Sequence, residues 1–485
     1  MSLSELLRRS LLPVLVFLAV FGVVVTDARG LVLRDGDTYW HLAVGQWILA
    51  NHALPRLDFL SYTAAGAPWV PHEYLAEIIM AAADRLAGWS GVVALTGLAA
   101  AATLGLLAHH LGRFLGPLAA TALVALAGLS VILVLLARPH ILALPLVEIW
   151  AAGLVIARAE GRAPRLRLVP LMTLWANLHG GFMVGVALAW LLGAEAVLEA
   201  GAAWRDAARR WGIFAAAATL AAMVTPTFPE GFLLPFRFLG MSSMFAIVTE
   251  WRSPNFQNLD PLEVMVLAAL LFGFGRGFRM PWFRAVLLAG LVWAAFQHIR
   301  NEVLVGIVGT LLIAEPLGRH LRARPFRGPG QSGRATLPFE LAIWTPTFLG
   351  FLALLWLNPV ERGPDSVTPE AAFDHLSEAL RAQPVFNQYD FGGYLIHRGV
   401  KPFIDGRTEI FPPAFLERYS QAANGDSAAL QDILGRYKIA WTLFPPHSAV
   451  VAVLDASPDW QRVYADDVAV LQVRKVAPPT EPTAP

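Results

Sequence analysis

The sequence predicts a polytopic α-helical membrane protein of about eleven transmembrane helices, with two interfacial helices in its first outer loop and a soluble α/β domain at its C-terminus. Three observations carry this. Of 485 residues, 56% are hydrophobic and only 15% charged, and the mean hydropathy is +0.54, more apolar surface than a soluble core of this size can bury. The apolar residues fall into runs near the roughly 20 residues a bilayer crossing needs. Beyond residue 358 those runs give way to short alternating polar and apolar stretches.

The apolar runs are 11–26, 91–108, 117–137, 141–157, 168–178, 182–199, 212–225, 261–275, 283–297, 302–316 and 338–357. The first follows Arg8 and Arg9 and has Ala28 where a signal peptidase would cut. It is read as a retained span, because it runs directly into the richest polar motif of the chain. With the N-terminus inside, eighteen arginines before residue 358 lie on inner loops and eight on outer ones. That bias supports the orientation. Residues 72–88 contain Glu73, Glu77, Asp84 and Arg85, and a span there would put the Arg158 to Arg167 run outside. They are therefore expected to lie in the interface as an amphipathic helix. Residues 37–51 are expected to do the same, since Trp40, Val44, Trp47 and Ile48 share one helical face while Asp37 and His41 share another.

Residues 1–357 thus form a transmembrane domain whose first outer loop spans 27–90, and 358–476 form an extracytoplasmic domain. In the latter, helices are expected at 369–381, 412–422 and 426–436. Strands are expected at 384–388, 393–397, 402–404 and 438–444, and a hairpin pairs 460–464 with 468–474. The tail 477–485, rich in Pro and Thr, is expected to be disordered. The 37 Lys and Arg nearly cancel the 36 Asp and Glu, which excludes nucleic acid as the main partner. The absence of cysteine excludes thiolate chemistry and disulfides.

This topology gathers unusual polar residues on the outer side. The first outer loop holds Asp35, Asp37, His41, Asp58, His72 and Glu73. Later outer turns hold Arg138 with His140, Asn177 with His179, Glu250 with Arg252, and His298 with Arg300. Ionisable groups at several span ends on one surface mark a candidate site. Each also has a plainer role open to it. Asp37 could cap the interfacial helix, Arg138 could anchor a helix end at the headgroups, Asn177 and His179 could satisfy open backbone groups, and His72 and Glu73 could only start a helix. Asp405 and Arg407 could form a structural ion pair.

Asp35-Gly-Asp-Thr-Tyr-Trp-His41 with Gly45, then Phe59 to Thr63, Trp69, His72-Glu73, Arg138-Pro-His140, Trp175 to Gly181, Glu250-Trp251, Phe386 to Tyr394 and Ile404-Asp-Gly-Arg407 form an ordered set. In this set the chain resembles the GT-C superfamily of integral-membrane glycosyltransferases, which use polyprenyl-phosphate sugars. Within it, the chain looks like an uncharacterised bacterial branch with an Asp-x-x-Trp-His-Leu motif.

The resemblance implies transfer of a sugar from a polyprenyl-phosphate donor to an extracytoplasmic acceptor, at a bacterial inner membrane. Inverting displacement needs a base and a phosphate stabiliser. Asp37 is the candidate base, Asp35 the runner-up, and His41 a further catalytic candidate. Arg138, His140 and Arg300 are candidates for the donor phosphate, because a guanidinium matches phosphate in two-point geometry. His72, Glu73, Asn177, His179 and Glu250 are candidates for substrate contact. Asp35 and Asp37 could share an oxygen-preferring cation such as Mg²⁺ or Mn²⁺. A lipid-linked sugar flippase and a non-catalytic envelope assembly protein are the rival readings. The first would place its charges at mid-membrane on broken helices, and the second needs no converging carboxylates.

Overall fold

A computed structural model describes residues 3–238, 248–323, 325 and 337–475. Each of the eleven apolar runs is helical over most of its length. Among the described residues four helices are long and apolar enough to cross a membrane: Tyr74–Leu111, Pro139–Ala159, Phe182–Glu199 and the stretch Ile299–His320. The chain is a multi-pass membrane protein. Shorter apolar helices lie at Leu11–Thr26, Pro117–Leu133, Leu166–Leu178, Trp282–Gln297 and Thr345–Leu357. Trp204–Ala222 and Pro261–Arg276 complete the set. Proline opens Pro117–Leu133, Pro139–Ala159 and Pro261–Arg276, at the one helical position where its missing N–H has no partner to lose. The tail 477–485 lies outside the described residues.

The chain folds as two compact units. Residues up to 33, 71–238 and 248–361 form the first, and 34–70 with 362–475 form the second. A division at residue 358 leaves the whole first outer loop with the transmembrane region, whereas 34–70 in fact groups with the C-terminal part.

In the first unit, helix Leu3–Thr26 packs on Tyr74–Leu111, which packs on Pro139–Ala159, and Phe182–Glu199 packs on Trp204–Ala222. The expected interfacial helix 72–88 is the N-terminal arm of Tyr74–Leu111. A break separates it from the apolar arm, with Ala87 at φ −149° and Gly88 at φ 56°, ψ −145°, a conformation only glycine adopts without strain.

In the second unit, helix Asp37–Asn51 forms as expected but is not a surface-lying amphipathic helix. Asp37, Thr38 and His41 are buried along with Trp40, Val44 and Ile48; the helix packs on Gly392–His397 through Tyr39, whose ring meets Tyr394 and His397, and Asp37 lies against Gly406. Four strands, β1 (Val385–Asn387), β2 (Trp441–Phe444), β3 (Trp460–Ala465) and β4 (Val470–Arg474), form a sheet of order β1-β2-β4-β3. β1 and β2 are parallel, and the other pairs antiparallel, including the expected terminal hairpin. The helices expected near 412 and 426 are Pro413–Ala423 and Ser427–Arg436.

Three expectations fail. Residues 392–397 form a helix rather than a strand. Residues 402–404 form no strand, because the buried Asn387 side chain does a strand's work: its Oδ1 accepts from Phe403 N–H at 2.8 Å and its Nδ2 donates to Ile404 O at 3.0 Å. The helix over 369–381 is split into Glu370–Asp374 and Glu378–Arg381, where Ser377 caps the second piece through Leu380 N–H. Helix Ala449–Asp455 was not anticipated. Phe403 centres the core, with ring centroids of Phe386, Phe415 and Tyr437 each 5.0 Å away.

Candidate functional site

The candidate residues fall into both units. Asp35, Asp37 and His41 belong to the second; His72, Glu73, Arg138, His140, Asn177, His179, Glu250 and Arg300 belong to the first.

In the second unit the backbone of Asp35-Gly36-Asp37 turns into helix Asp37–Asn51. Asp35 Oδ1 accepts the Asp37 N–H at 2.7 Å, so Asp35, not Asp37, closes the helix start. Its carbonyl oxygen accepts from Arg362 Nη2 at 2.5 Å, and that guanidinium lies 4.1 Å over the Tyr39 ring. Asp35, Asp37 and His41 are all buried, and His41 rests on Trp40 with ring centroids 3.5 Å apart.

Glycines bring the C-terminal motifs against this turn. A Cβ on Gly36 would collide with Asp390 O, one on Gly393 with Gly36 O, and one on Gly406 with the Asp37 carboxylate and Trp40 Nε1. Gly406, from Ile404-Asp-Gly-Arg407, thus forms the floor under the candidate base. The Trp40 indole N–H is buried beside it with no hydrogen-bond partner among the described residues. Composition and spacing gave no reason to single out Gly406 or Trp40 Nε1 as site residues; only the pairing of the two motifs in the resemblance hinted at it.

Next to this lies a buried charge triad. Arg407 donates from Nε and Nη2 to Asp405 at 2.9 and 2.7 Å, and from Nη1 to Asp58 at 2.6 Å, with Trp69 facing its guanidinium at 4.8 Å. Burial works against both charges, but the neighbouring carboxylates push Arg407 up. Arg407 and the Ser61 and Leu60 hydrogen bonds hold Asp58 below its ordinary value. Asp405 and Arg407 are structural, and they fasten Asp58's loop to the sheet domain.

In the first unit, Glu250 gathers two arginines, with Arg138 Nη1 at 3.3 Å and Arg300 Nη1 at 3.8 Å. Arg300 also lies 4.6 Å over the Trp251 ring. Burial opposes the Glu250 charge, yet Arg138 and Arg300 outweigh it and hold the carboxyl at about 2. Nearby, His140 and His179 stand ring to ring at 6.2 Å, and Glu73 lies 3.5 Å from His179 Nε2 and 3.8 Å from His72 Nε2. Gly181 N–H donates to His179 Nδ1 at 3.0 Å, which places the proton of the neutral ring on Nε2. Burial, with Arg300, His140 and His72 near it, pushes His179 well down, so it stays neutral at physiological pH.

Asn177 is fully committed elsewhere. Its Oδ1 accepts from Tyr74 Oη at 2.7 Å, and its Nδ2 donates to Thr173 O and Val224 O. It closes a helix end, the plainer of its two readings. Among the described residues no group of three His, Asp or Glu side chains is arranged to hold a metal ion.

No protein-family model and no curated protein matches this chain. Solved structures do match. ArnT from Cupriavidus metallidurans bound to undecaprenyl phosphate aligns with 95% of this chain and 97% of its own, at 15% identity and TM-score 0.50. Its apo form aligns over the same shares at 14% identity and TM-score 0.51. The chain has the ArnT fold. The archaeal oligosaccharyltransferase AglB from Archaeoglobus fulgidus is a more distant match, at TM-score 0.48 and 11% identity over 88% of this chain and 69% of that one. At this identity the ArnT likeness assigns no residue its role.

Proposed function

We propose that this chain is a GT-C membrane glycosyltransferase that moves a sugar from a polyprenyl-phosphate donor to an extracytoplasmic glycan, lipid or protein, with inversion at the anomeric carbon. The carrying observation is the ArnT fold over 95% of the chain, one structure of which holds undecaprenyl phosphate. The two-arginine cluster on Glu250 gives the reading its chemistry.

The acceptor hydroxyl oxygen attacks the anomeric carbon and its proton passes to the Asp37 carboxylate. The polyprenyl phosphate departs with the electrons of the broken C–O bond. Its charge falls to Arg138 and Arg300, which Glu250 orients and whose planar guanidinium groups match phosphate oxygens. His179 is a neutral donor at the same cluster, positioned by His72 and Glu73, while the one N–H of neutral His140 is held by Val134 O at 2.7 Å, which leaves its Nδ1 as an acceptor. His41 lies one turn along the same helix from Asp37, packed on Trp40. Asp35 and Asp37 supply at most part of a Mg²⁺ or Mn²⁺ shell, so a cation would need the donor phosphate to complete it. The reading places the chain in a bacterial inner membrane with the second unit outside.

The test is binding of purified protein to a polyprenyl-phosphate sugar and, side by side, to a nucleotide sugar. Saturable binding of the lipid-linked donor is expected. Arg138→Ala and Arg300→Ala should each weaken it by about ten- to a hundredfold, the worth of one charge-assisted hydrogen bond. Saturable binding of the nucleotide sugar alone would sink the reading.

A further inference from the structure

The helices that carry the Glu250 cluster end, at their opposite termini, in a second set of charges. Pro139–Ala159 follows Arg138 and carries Arg158 in its last turn. Phe182–Glu199 follows His179 and ends on Glu195 and Glu199, and Trp282–Gln297 begins beside Arg284 and leads to Arg300. At 1.5 Å per residue, the 18 residues of Phe182–Glu199 separate the two sets by about 27 Å, close to a hydrocarbon core.

Here charges alternate along a chain of side chains from four helical segments. Arg158 donates to Glu199 at 2.7 Å and to Glu195 Oε2 at 2.9 Å. Arg284 donates to Glu195 Oε1 at 2.9 Å and to Glu315 at 2.9 Å, and Arg319 lies 3.4 Å from Glu315. Arg158, Glu195 and Arg284 have side-chain exposures of 9%, 1% and 4%. Buried ion pairs seldom stabilise better than apolar packing of the same volume, so their presence calls for a further reason.

That reason is the cavity they border. It has a volume of about 450 Å³, and Arg162 and Arg210 also line it, giving two more arginines than glutamates. Arg162 pairs with Glu160 and Arg210 with Asp206, neither of which lines the cavity. Arg158 and Arg284 are anchored on the two oxygens of one carboxylate, that of Glu195, which brings both guanidinium groups to one edge of the cavity. Each spends Nε and one terminal nitrogen on carboxylates, which leaves Arg158 Nη1 and Arg284 Nη2 without a protein partner among the described residues. The space would hold about fifteen waters, enough for a phosphate ester and its substituent.

We propose that this cavity binds a phosphate-bearing anion through Arg158 and Arg284, with Arg162, Arg210 and Arg319 at its rim. It is a second anion site, at the arginine-rich end of the bundle and away from the Glu250 cluster. The ligand is either the headgroup of a phosphate-bearing lipid or a soluble phosphate ester. The carboxylates are the scaffold that aims the guanidinium groups, as outer-shell partners aim a ligand.

The test uses full-length protein in phosphatidylcholine nanodiscs, with two probes: phosphatidic acid in the bilayer, read by native mass spectrometry, and pyrophosphate in solution, read by calorimetry. Saturable binding of phosphatidic acid alone assigns a lipid headgroup, and of pyrophosphate alone a soluble ester. Arg284→Gln should weaken the bound probe by about tenfold or more. That change strands a buried carboxylate and can unfold the bundle, so Arg158→Lys is the second variant. It keeps the charge and the Glu195 pair but loses the planar fork, and is expected to bind about tenfold more weakly with its thermal midpoint retained. Binding of neither probe by wild type, or undiminished binding by folded Arg158→Lys, overturns the proposal. Neither outcome touches the donor test, which uses other residues.

Discussion

Asp35 and Asp37 are indistinguishable by residue type, and the structure separates them by what their oxygens do. One oxygen of Asp35 is taken by the Asp37 N–H, a task an amide oxygen performs as well, whereas the Asp37 carboxylate lies on Gly406 beside the Trp40 N–H. Asp37→Asn is therefore expected to lower transfer by about 10²- to 10⁴-fold with its melting temperature unchanged, and Asp35→Asn to keep most activity. The measurement is turnover with a lipid-linked donor alongside thermal unfolding, and the opposite ranking would move the base two residues back. Glu250 makes a pH prediction. Its carboxyl is held at about 2 in the folded chain against an ordinary 4.5, because Arg138 and Arg300 overcome its burial. A depressed carboxyl stabilises fully above its unfolded value and loses that contribution as pH falls through the folded one. The melting-temperature gap between wild type and Glu250→Gln should hold from about pH 8 to about pH 5, then shrink between about pH 4.5 and about pH 2. A gap that closes near neutral pH would assign the effect to histidine instead.

At the scale of elements, loop 34–70 is held to the sheet domain by contacts that local propensity does not announce. Gly36, Gly393 and Gly406 permit backbone approaches that no side chain allows, and Arg407, paired with Asp405, reaches Asp58 across 349 residues of sequence. Removing Arg407 strands two buried carboxylates, so Arg407→Met should cost about 3 to 5 kcal/mol. Arg418→Met, at an exposed pair with Asp432, should cost less than about 1 kcal/mol. Thermal or chaotrope unfolding of the two variants side by side checks this, and equal costs would remove the triad from the account. The same non-local logic explains the absence of strands at 393–397 and 402–404. Their alternation is real, but Asn387 supplies the backbone bonds and the glycine pair lets helix Gly392–His397 approach the backbone at Ile404 and Gly36.

At the scale of the whole molecule, the opposed helix ends and the arginine bias make topology testable in a chain without native cysteine. Exposed Ser427 in the second unit and exposed Ala202, in a turn the arginine bias expects to be inner, provide the two reporters. Ser427→Cys should react with an impermeant thiol reagent in intact cells whose outer membrane is permeabilised, and Ala202→Cys only after lysis. The reverse pattern would mean one crossing too many or too few, and the Gly88 break between the arms of Tyr74–Leu111 is where the count would change.

What the sequence determined by itself was everything that rests on short-range or averaged physics. Hydropathy located runs that are helical over most of their length, four of them among the described residues long and apolar enough to cross a membrane, because a chain in lipid must satisfy its backbone within each segment, and alternation located β1, β2 and the terminal hairpin. The ordered polar motifs gave a resemblance to a family, and the fold itself rests on the likeness to ArnT. The tertiary structure alone decided that 34–70 belongs with the C-terminal unit, that Asp35 serves the backbone while Asp37 rests on Gly406, and that Glu250 holds Arg138 and Arg300. Apart from the local bond between Asp35 and the Asp37 N–H, these depend on contacts between residues dozens to hundreds of positions apart, made where burial forces charges and open backbone groups to find partners, and no local pattern encodes which partner they find.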